Sequence, residues 1–415
     1  MYRVSPHVRY FAASLVAGAV LASLWVNLSP DSYFDLIEYR LWAPDLPVWS
    51  GLPAPVLTLQ YITSEALMAL FIAFIAKELW EALVLERGAL SGSARRSMPL
   101  GAVVGGVCGA VLVWLLTLPA DPDLAGLGRA AGWPLPIGSD VALCYVFGER
   151  VFGRNHPALH LLLLISIAFD ILGLAALGLG FPTLGLRPVW LLLSALSLGL
   201  VWGLYARFAH ARATERQHRR AATLWPYLLA GLVCWLGVLL SGLPGALGLL
   251  PLIFVIPHAE RSFGLFAEAE AFLHDPLNRL AQLLVWPLPV ILFLFGLTRG
   301  GIAVAALGPT TMRVLQALWI GKPLGLLLGA LAVLTLRGWR MPKGLTLSDL
   351  VLIAVLSGMG LTVPLLALDS ALPGGLVADE ARAGVALSLF FGPLALGLAW
   401  MIRRFSRTVQ PNPGE

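Results

Sequence analysis

Residues 133–145 read WPLPIGSDVALCY, in which two prolines and a glycine interrupt an otherwise apolar stretch. Proline removes a backbone N–H and glycine loosens a helix, so the pattern that resumes after Asp140 predicts the start of a half-helix. Residues 355–368, VLSGMGLTVPLLAL, show a similar interruption in the other half of the chain. Paired broken helices in two halves of a membrane protein indicate the binding site of a secondary transporter.

The composition is that of an integral membrane protein. Of 415 residues, 58% are hydrophobic and only 12% are charged, against about 25% charged in soluble domains. A spanning helix needs about 20 apolar residues. The apolar runs therefore predict an all-α polytopic protein of about twelve transmembrane helices, starting near residues 10, 59, 98, 137, 157, 188, 223, 244, 275, 312, 348 and 383.

The sequence does not predict an enzyme. Its three cysteines lie in separate apolar runs, and no metal-ligand pattern, cofactor motif or nucleophile–base set is visible. We therefore expect no metal and no cofactor. Nucleic acid is not an expected partner either, because the basic run at 207–220 is explained by a cytoplasmic loop.

Charge placement predicts the topology. With both termini in the cytoplasm, nineteen of the 28 lysines and arginines fall in cytoplasmic segments, whereas six, including Arg299 and Arg313, fall outside. The positive-inside rule favours this orientation. The loop at 207–220 would then divide a single transmembrane domain, residues 1–415, into halves of about 10–206 and 221–404.

Eight charged residues are predicted at membrane depth. A charge at the centre of a membrane helix is unfavourable by roughly 2.5–3.5 kcal/mol, so each is a candidate functional residue. The set is Lys77, Arg279, Lys322, Glu65, Glu78, Glu81, Asp140 and Asp170.

Asp170, in the stretch SIAFDILGLA at 166–175, and Lys322 lie deepest, and we expect them to pair. Such a pair is either a static salt bridge or a proton carrier, because burial favours the neutral form of lysine. Asp140 is either an N-cap facing the positive end of its helix or part of the transport site with the hydroxyl of Thr362. Lys77 is expected to extend to the membrane surface.

Five segments, in order, resemble the NhaA-type sodium/proton antiporters along nearly the whole chain. They are SEALMALFIAFIAKEL (64–79), GWPLPIGSDVAL (132–143), AFDILG (168–173), IGKPLG (320–325) and SGMGLTVPLLAL (357–368). The resemblance implies an inverted-repeat bundle of twelve helices with two crossed discontinuous helices, in the bacterial inner membrane. It also implies exchange of sodium or lithium for protons, a role in pH homeostasis, and a homodimer as a candidate assembly.

The resemblance also assigns expected roles to individual residues. Asp140 would face the crossed half-helices and Lys322 would be the intramembrane lysine of the proton and cation site. The supporting positions would be Ser139, where the family usually has threonine, with Gly358, Gly360 and Thr362 at the second break, Glu65 in the funnel, and Glu78 in the pH-responsive region.

One departure from the family bears on ion binding. The family carries two adjacent aspartates before Leu-Gly, the second of which coordinates the cation, whereas this chain has Asp170 followed by Ile171. An isoleucine side chain has no oxygen for a hard cation. We therefore expect an antiporter with altered or reduced sodium binding. The alternative is a transport-inactive homologue that binds a partner or senses a signal.

Overall fold

The computed structural model describes residues 7–42, 56–84, 93–117, 132–182, 185–209, 214–258, 265–266, 273, 275–336, 338, 341–342, 344–372 and 374–409. In this part of the chain the protein is helical apart from one short hairpin. The first half contains α1 His7–Leu28, α2 Pro30–Ile37, β1 Arg40–Trp42, β2 Leu57–Thr58, α3 Leu59–Tyr61, a π-helical turn Ile62–Leu67, α4 Met68–Val84, α5 Ser93–Leu116, a 3₁₀ turn Leu135–Ile137, α6 Val141–Phe152, α7 Pro157–Gly180, a 3₁₀ turn Pro188–Trp190, α8 Leu191–Leu204 and a 3₁₀ turn Ala206–Ala209.

The rest of the described chain is also helical. It contains α9 Glu215–Ala221, α10 Trp225–Leu240, a 3₁₀ turn Gly245–Leu247, α11 Leu250–Ile253, α12 Pro276–Val285, α13 Leu288–Arg299, α14 Pro309–Gln316, a π-helical turn Ala317–Gly321, α15 Lys322–Leu336, α16 Leu347–Ser357, α17 Thr362–Ala371, α18 Leu376–Leu387, a 3₁₀ turn Ser388–Phe390 and α19 Phe391–Val409.

The architecture confirms an all-α polytopic membrane protein. Among the described residues, seven helices are long and apolar enough to cross a membrane, and two further bent pairs raise this to nine. Most predicted helix starts lie within a few residues of the observed ones. The predicted eighth span differs, since only the short α11 forms near Pro244. The prolines and glycines of residues 242–251 explain the difference, because they remove N–H donors and permit turns.

The two broken helices lie at the centre of the bundle. In the span of residues 347–368, which includes α16 and α17, 89% of the most apolar 18-residue window is buried, and in α7 the share is 67%. In the spans of α1 and α5 it is 33%. The central helices therefore place their polar residues away from lipid, where other protein groups can satisfy them.

Glycines hold α5 against α15. Gly105 and Gly325 sit where the two backbones touch: a Cβ on either residue would lie 2.2 Å from the other's carbonyl oxygen. Each belongs to a row of glycines with a four-residue spacing, at 101, 105 and 109 on α5 and at 321, 325 and 329 on the other helix. Small residues at this spacing allow close helix packing in membranes. Because Lys322 begins α15, this contact also fixes the position of its ammonium group.

Candidate functional site

The first break occupies residues 138–140. Gly138 leaves the 3₁₀ turn in an extended conformation (φ −60°, ψ 155°), and Asp140 is also extended (φ −140°, ψ 107°) as the N-cap of α6. The Oδ1 atom of Asp140 accepts a hydrogen bond from the N–H of Leu143 at 2.8 Å. The N-cap role predicted for Asp140 is thus present, and its negative charge faces the positive end of a helix.

The second break contacts the first directly. The hydroxyl of Ser139 lies 3.2 Å from the carbonyl oxygens of both Ser357 and Met359, to which it can donate its proton. Thr362, the first residue of α17, donates its hydroxyl to the carbonyl of Ser139 at 3.4 Å. Gly360 is fixed from a third helix, since its N–H donates to Ser388 Oγ at 3.1 Å. The two discontinuous helices therefore cross, as expected.

Asp170 reaches the crossing from α7. Its Oδ1 atom accepts the backbone N–H of Ser139 at 2.8 Å, and the side chain is fully buried. Gly173 lets α7 come this close, because a Cβ there would lie 2.9 Å from Val363 and 3.1 Å from the backbone nitrogen of Gly138.

Lys322 contacts the same backbone segment from α15. Its Nζ atom donates to the carbonyl of Gly138 at 2.6 Å and lies 4.4 Å from the centre of the Phe169 ring. The predicted direct ion pair is not formed: in the part of the chain described here, Asp170 and Lys322 are not ion-pair partners. Instead, the lysine takes the carbonyl of Gly138 and the aspartate takes the next N–H, that of Ser139. The break itself supplies both hydrogen-bonding groups.

Within the described part of the chain, three buried oxygens around the crossing have no hydrogen-bond partner. They are Oδ2 of Asp140, Oδ2 of Asp170 and Oγ of Ser166. An unpartnered buried polar group is unfavourable by about 1–3 kcal/mol, so such groups call for an explanation. Carboxylate and hydroxyl oxygens are also the ligands that hard monovalent cations and protons use.

Ile171 adds no polar atom to this arrangement. It is half-buried and packs against the apolar core. Position 171 therefore contributes no oxygen to the crossing, and the negative charges described there are those of Asp140 and Asp170.

Two contributors to the crossing were missed in the sequence. Phe169 provides the ring beneath the lysine ammonium, a cation–π contact. Ser166 precedes Asp170 by four residues, which places both on one face of α7. That spacing was a usable signal for Ser166, whereas nothing local in the sequence identifies the aromatic contact.

Glu65 lies in the π-helical turn before α4, in a separate polar group next to α10 and α13. Its Oε2 atom accepts the N–H of Gly245 at 2.5 Å, and its carbonyl accepts the indole N–H of Trp235 at 2.8 Å. The neighbouring Ser64 accepts from Nε of Arg299 at 2.8 Å. Glu65 and Glu78 thus serve different contacts, as their spacing predicted.

A buried charge cluster surrounds Lys77. Its ammonium pairs with Glu78 at 3.1 Å and with Glu81 at 3.3 Å, and its side chain is 2% exposed. Glu78 also accepts the N–H of Phe266 at 2.5 Å. The prediction that Lys77 extends to the membrane surface is wrong. The carboxylates of Glu78 and Glu81 pair with the ammonium inside the protein, so the side chain does not extend to water at the membrane surface.

We expect Lys77→Met to destabilise the protein strongly. Removing the cation leaves two buried carboxylates without it, and breaking a buried pair in this way loses about 3–5 kcal/mol. The matched control is Arg219→Met, because Arg219 forms a comparable i, i+4 pair with Glu215 at 2.7 Å on an exposed surface. Thermal unfolding in detergent measures both. Equal shifts of Tm for the two variants would contradict a stabilising role for the buried cluster.

Three other arginines have surroundings that the sequence did not indicate. Arg279, predicted at membrane depth, is exposed and lies 3.4 Å from the carbonyl of Ala222. Arg299 and Arg313, predicted in outside segments, are buried. Arg313 lies over the Trp114 ring at 4.0 Å and donates to its carbonyl at 3.3 Å. The sequence pattern placed the start of α14 three residues too late. It also could not show that the ring and the carbonyl of Trp114 contact the guanidinium group of Arg313.

These features define a class of protein: an all-helical, multi-pass membrane transporter whose two broken helices cross beside buried charges. The chain belongs to the sodium/proton antiporter family, since residues 7–401 match the family described as Na+/H+ antiporter 1. It is similar to the Na(+)/H(+) antiporter NhaA of Jannaschia sp. (strain CCS1), with 39% identity over 96% of this chain and 97% of the relative.

Two further relatives agree. The chain is 34% identical to Na(+)/H(+) antiporter NhaA 2 of Pelobacter propionicus, over 95% of this chain and 97% of that protein. It is 32% identical to the Na(+)/H(+) antiporter NhaA of Geobacter metallireducens, again over 95% and 97%. The chain is therefore a member of a family of transporters and not an enzyme.

Proposed function

We propose that this chain exchanges protons for a monovalent cation across the bacterial inner membrane, with sodium binding weaker than a paired-aspartate site would give. Family membership supports the sodium/proton antiport itself. The weakened sodium binding is the finer part of the proposal. It rests on the residues at the crossing of the two broken helices.

One observation carries the proposal. In the described part of the chain, two buried carboxylate oxygens at the crossing have no hydrogen-bond partner, one on Asp140 and one on Asp170. The ammonium group of Lys322 lies at the same crossing and donates to the carbonyl of Gly138. A proton or a small cation bound to these oxygens would relieve their unfavourable burial. Asp170 would then carry the proton, Asp140 would share the cation, and Lys322 would balance the charge when the site is empty.

The weaker sodium binding follows from Ile171. A dehydrated sodium ion replaces its lost water with several oxygen ligands, and a charged ligand strengthens binding most. Position 171 supplies no ligand. The exchange then depends on Asp170 with support from Asp140, and we expect a small or undetectable sodium response from the natural chain.

The test introduces the missing carboxylate. We expect everted vesicles with the natural chain to show little or no sodium-dependent collapse of a pH gradient, and Ile171→Asp to give a clear one. Ile171→Asn is the matched control, since asparagine has the same shape as aspartate but no charge. The sodium response of this variant should stay close to that of the natural chain. Sodium, lithium and potassium should each be tested.

Two results would contradict this interpretation of Ile171. The first is robust sodium/proton exchange by the natural chain that Asp170→Asn abolishes. The second is an equal gain from Ile171→Asn and Ile171→Asp, since that would mean that polarity rather than charge limits the exchange.

A second candidate function is a transport-inactive homologue that binds a partner or senses a signal. One observation favours it: Asp140, Asp170 and Lys322 each make a hydrogen bond to the backbone of the broken helices or of their first turn. These bonds would hold the fold together even without transport. Absence of exchange with all three cations, together with a membrane protein that co-purifies at a fixed ratio, would support this candidate.

The charge count supports the proposed orientation, with both termini in the cytoplasm. Labelling of a cysteine introduced at an exposed position such as Arg216 tests this. A reagent that does not cross the membrane should label it in everted vesicles and not in intact cells.

A further inference from the structure

A groove between α1 and α6 is not used by the transport site. Its volume is about 680 Å³. Its polar end is formed by Arg9, Glu149, Arg150 and Arg154, and the rest by apolar and small residues of both helices. The groove lies along the half-helix that Asp140 caps, because Leu143, whose N–H binds Asp140, is also part of its lining.

The charged end is basic overall. Arg9 donates to both carboxylate oxygens of Glu149, from Nε at 2.9 Å and from Nη2 at 2.5 Å, and Arg154 also pairs with Glu149. One carboxylate therefore stands against three guanidinium groups, which leaves a net charge of about +2. The side chains of Arg9 and Arg154 are 46% and 50% exposed, so their remaining N–H groups can reach a ligand.

The apolar part of the groove is long enough to hold the first part of a lipid acyl chain. On α1 the lining runs from Arg9 to Val16, and on α6 it runs from Arg150 back to Leu143. Each wall spans eight residues, and the seven steps between the first and the last cover about 10 Å along a helix. Between the ends lie Ala12, Ala13, Val146 and Phe147.

We propose that this groove binds an anionic phospholipid, with its phosphate at the arginines and the start of an acyl chain between α1 and α6. Arginine recognises phosphate with paired N–H donors, and basic residues at the membrane surface attract anionic lipids. A zwitterionic lipid would match the apolar walls but not the net charge.

The alternative occupant is water in an entrance for cations. The charge argues against it, since a net charge of about +2 at the mouth repels sodium, whereas entrances for cations carry acidic groups. The arrangement also links two parts of the bundle. Arg9 lies on α1, which packs against α13, whereas Glu149 and Arg150 lie on the helix that begins at Asp140. A bound phosphate would bridge them.

The test is lipid binding by the purified full-length protein. Delipidated protein is titrated with phosphatidylglycerol and, in parallel, with phosphatidylcholine carrying the same acyl chains, and bound lipid is counted by native mass spectrometry. We expect clear preference for phosphatidylglycerol. Arg150→Ala should weaken its binding about fivefold, the effect of one basic residue at a membrane surface. Arg150 suits this purpose because, within the described part of the chain, its side chain donates only to the carbonyl of Val146 in its own helix.

Two further variants make the test specific. Val146→Trp should reduce phosphatidylglycerol binding by filling the groove while every arginine remains. Arg216→Ala, an exposed arginine of α9 outside the groove, should leave binding unchanged. Equal binding of both lipids, or no effect of Arg150→Ala and Val146→Trp, would overturn the proposal. So would inorganic phosphate that binds as tightly as the lipid and is insensitive to Val146→Trp, because the occupant would then be free phosphate.

Discussion

Asp170→Asn is expected to abolish cation-dependent proton movement while the protein remains folded. The amide cannot release a proton at any physiological pH, but its oxygen can still accept the N–H of Ser139, the bond that the carboxylate makes at 2.8 Å. The geometry of the crossing should therefore survive. A pH-sensitive dye in everted vesicles measures the exchange, both in the natural chain and in the Ile171→Asp chain, where the sodium response should be larger.

The control for this experiment is Asp379→Asn. Asp379 lies in the first turn of α18 and pairs with Arg382 at 2.7 Å. Its loss should leave exchange unchanged. If Asp170→Asn retained the exchange of the Ile171→Asp chain, Asp170 would not be the proton carrier and Lys322 would be the next group to test. Size-exclusion profiles and thermal unfolding check that each variant is folded.

Gly325→Ala is expected to prevent or severely weaken folding. The added Cβ would lie 2.2 Å from the carbonyl oxygen of Gly105 and 2.8 Å from the Cα of Gly109. Both atoms belong to backbone, so neither can turn aside, and α5 and α15 must separate. Overpacking of a core loses about 1–3 kcal/mol, and we expect the upper end of that range or more. The yield and Tm of the purified protein measure the effect.

Gly199→Ala provides the matched control. Gly199 is also a helical glycine in a membrane-spanning segment, but a Cβ there meets no atom within 4 Å. Alanine favours a helix over glycine by about 1 kcal/mol, so this variant should be as stable as the natural chain or more so. Similar Tm losses for both variants would show that the contact between α5 and α15 is not what makes the glycine necessary.

A milder consequence of Gly325→Ala concerns the site. Lys322 lies three residues before Gly325, in the first turn of α15. If some protein folds with the two helices apart, the ammonium moves away from the carbonyl of Gly138, which it now contacts at 2.6 Å. Exchange should then fall in the folded fraction as well.

The buried charges show where sequence-based prediction was sufficient and where it was not. The apolar surroundings of Asp170 and Lys322 predicted correctly that both are buried. Their pairing was inferred because an unpaired charge at that depth is unfavourable. The partners that the folded chain provides are a backbone N–H and a carbonyl, which every residue carries and no sequence pattern marks.

The same limit explains the other corrections. Lys77 was placed near a membrane surface from its position along the helix, yet Glu78 and Glu81 enclose it. Arg313 was predicted in an outside segment, and the sequence did not indicate its partners, the ring and the carbonyl of Trp114. Glu380 of α18 shows the same limit, since its carboxylate accepts the N–H of Thr310 at the start of α14 at 2.9 Å.

The sequence by itself determined the membrane class, most of the helices and both breaks. These depend on local properties, namely apolar length and the prolines and glycines of residues 133–145 and 355–368. Only the tertiary structure decided which groups meet at the crossing. Ser139 and Met359 are separated by more than half of the chain, and their contact depends on helix packing that no local pattern encodes. For Asp140, the sequence predicted its position at the first break, and the tertiary structure showed which residues of the other helices lie beside it.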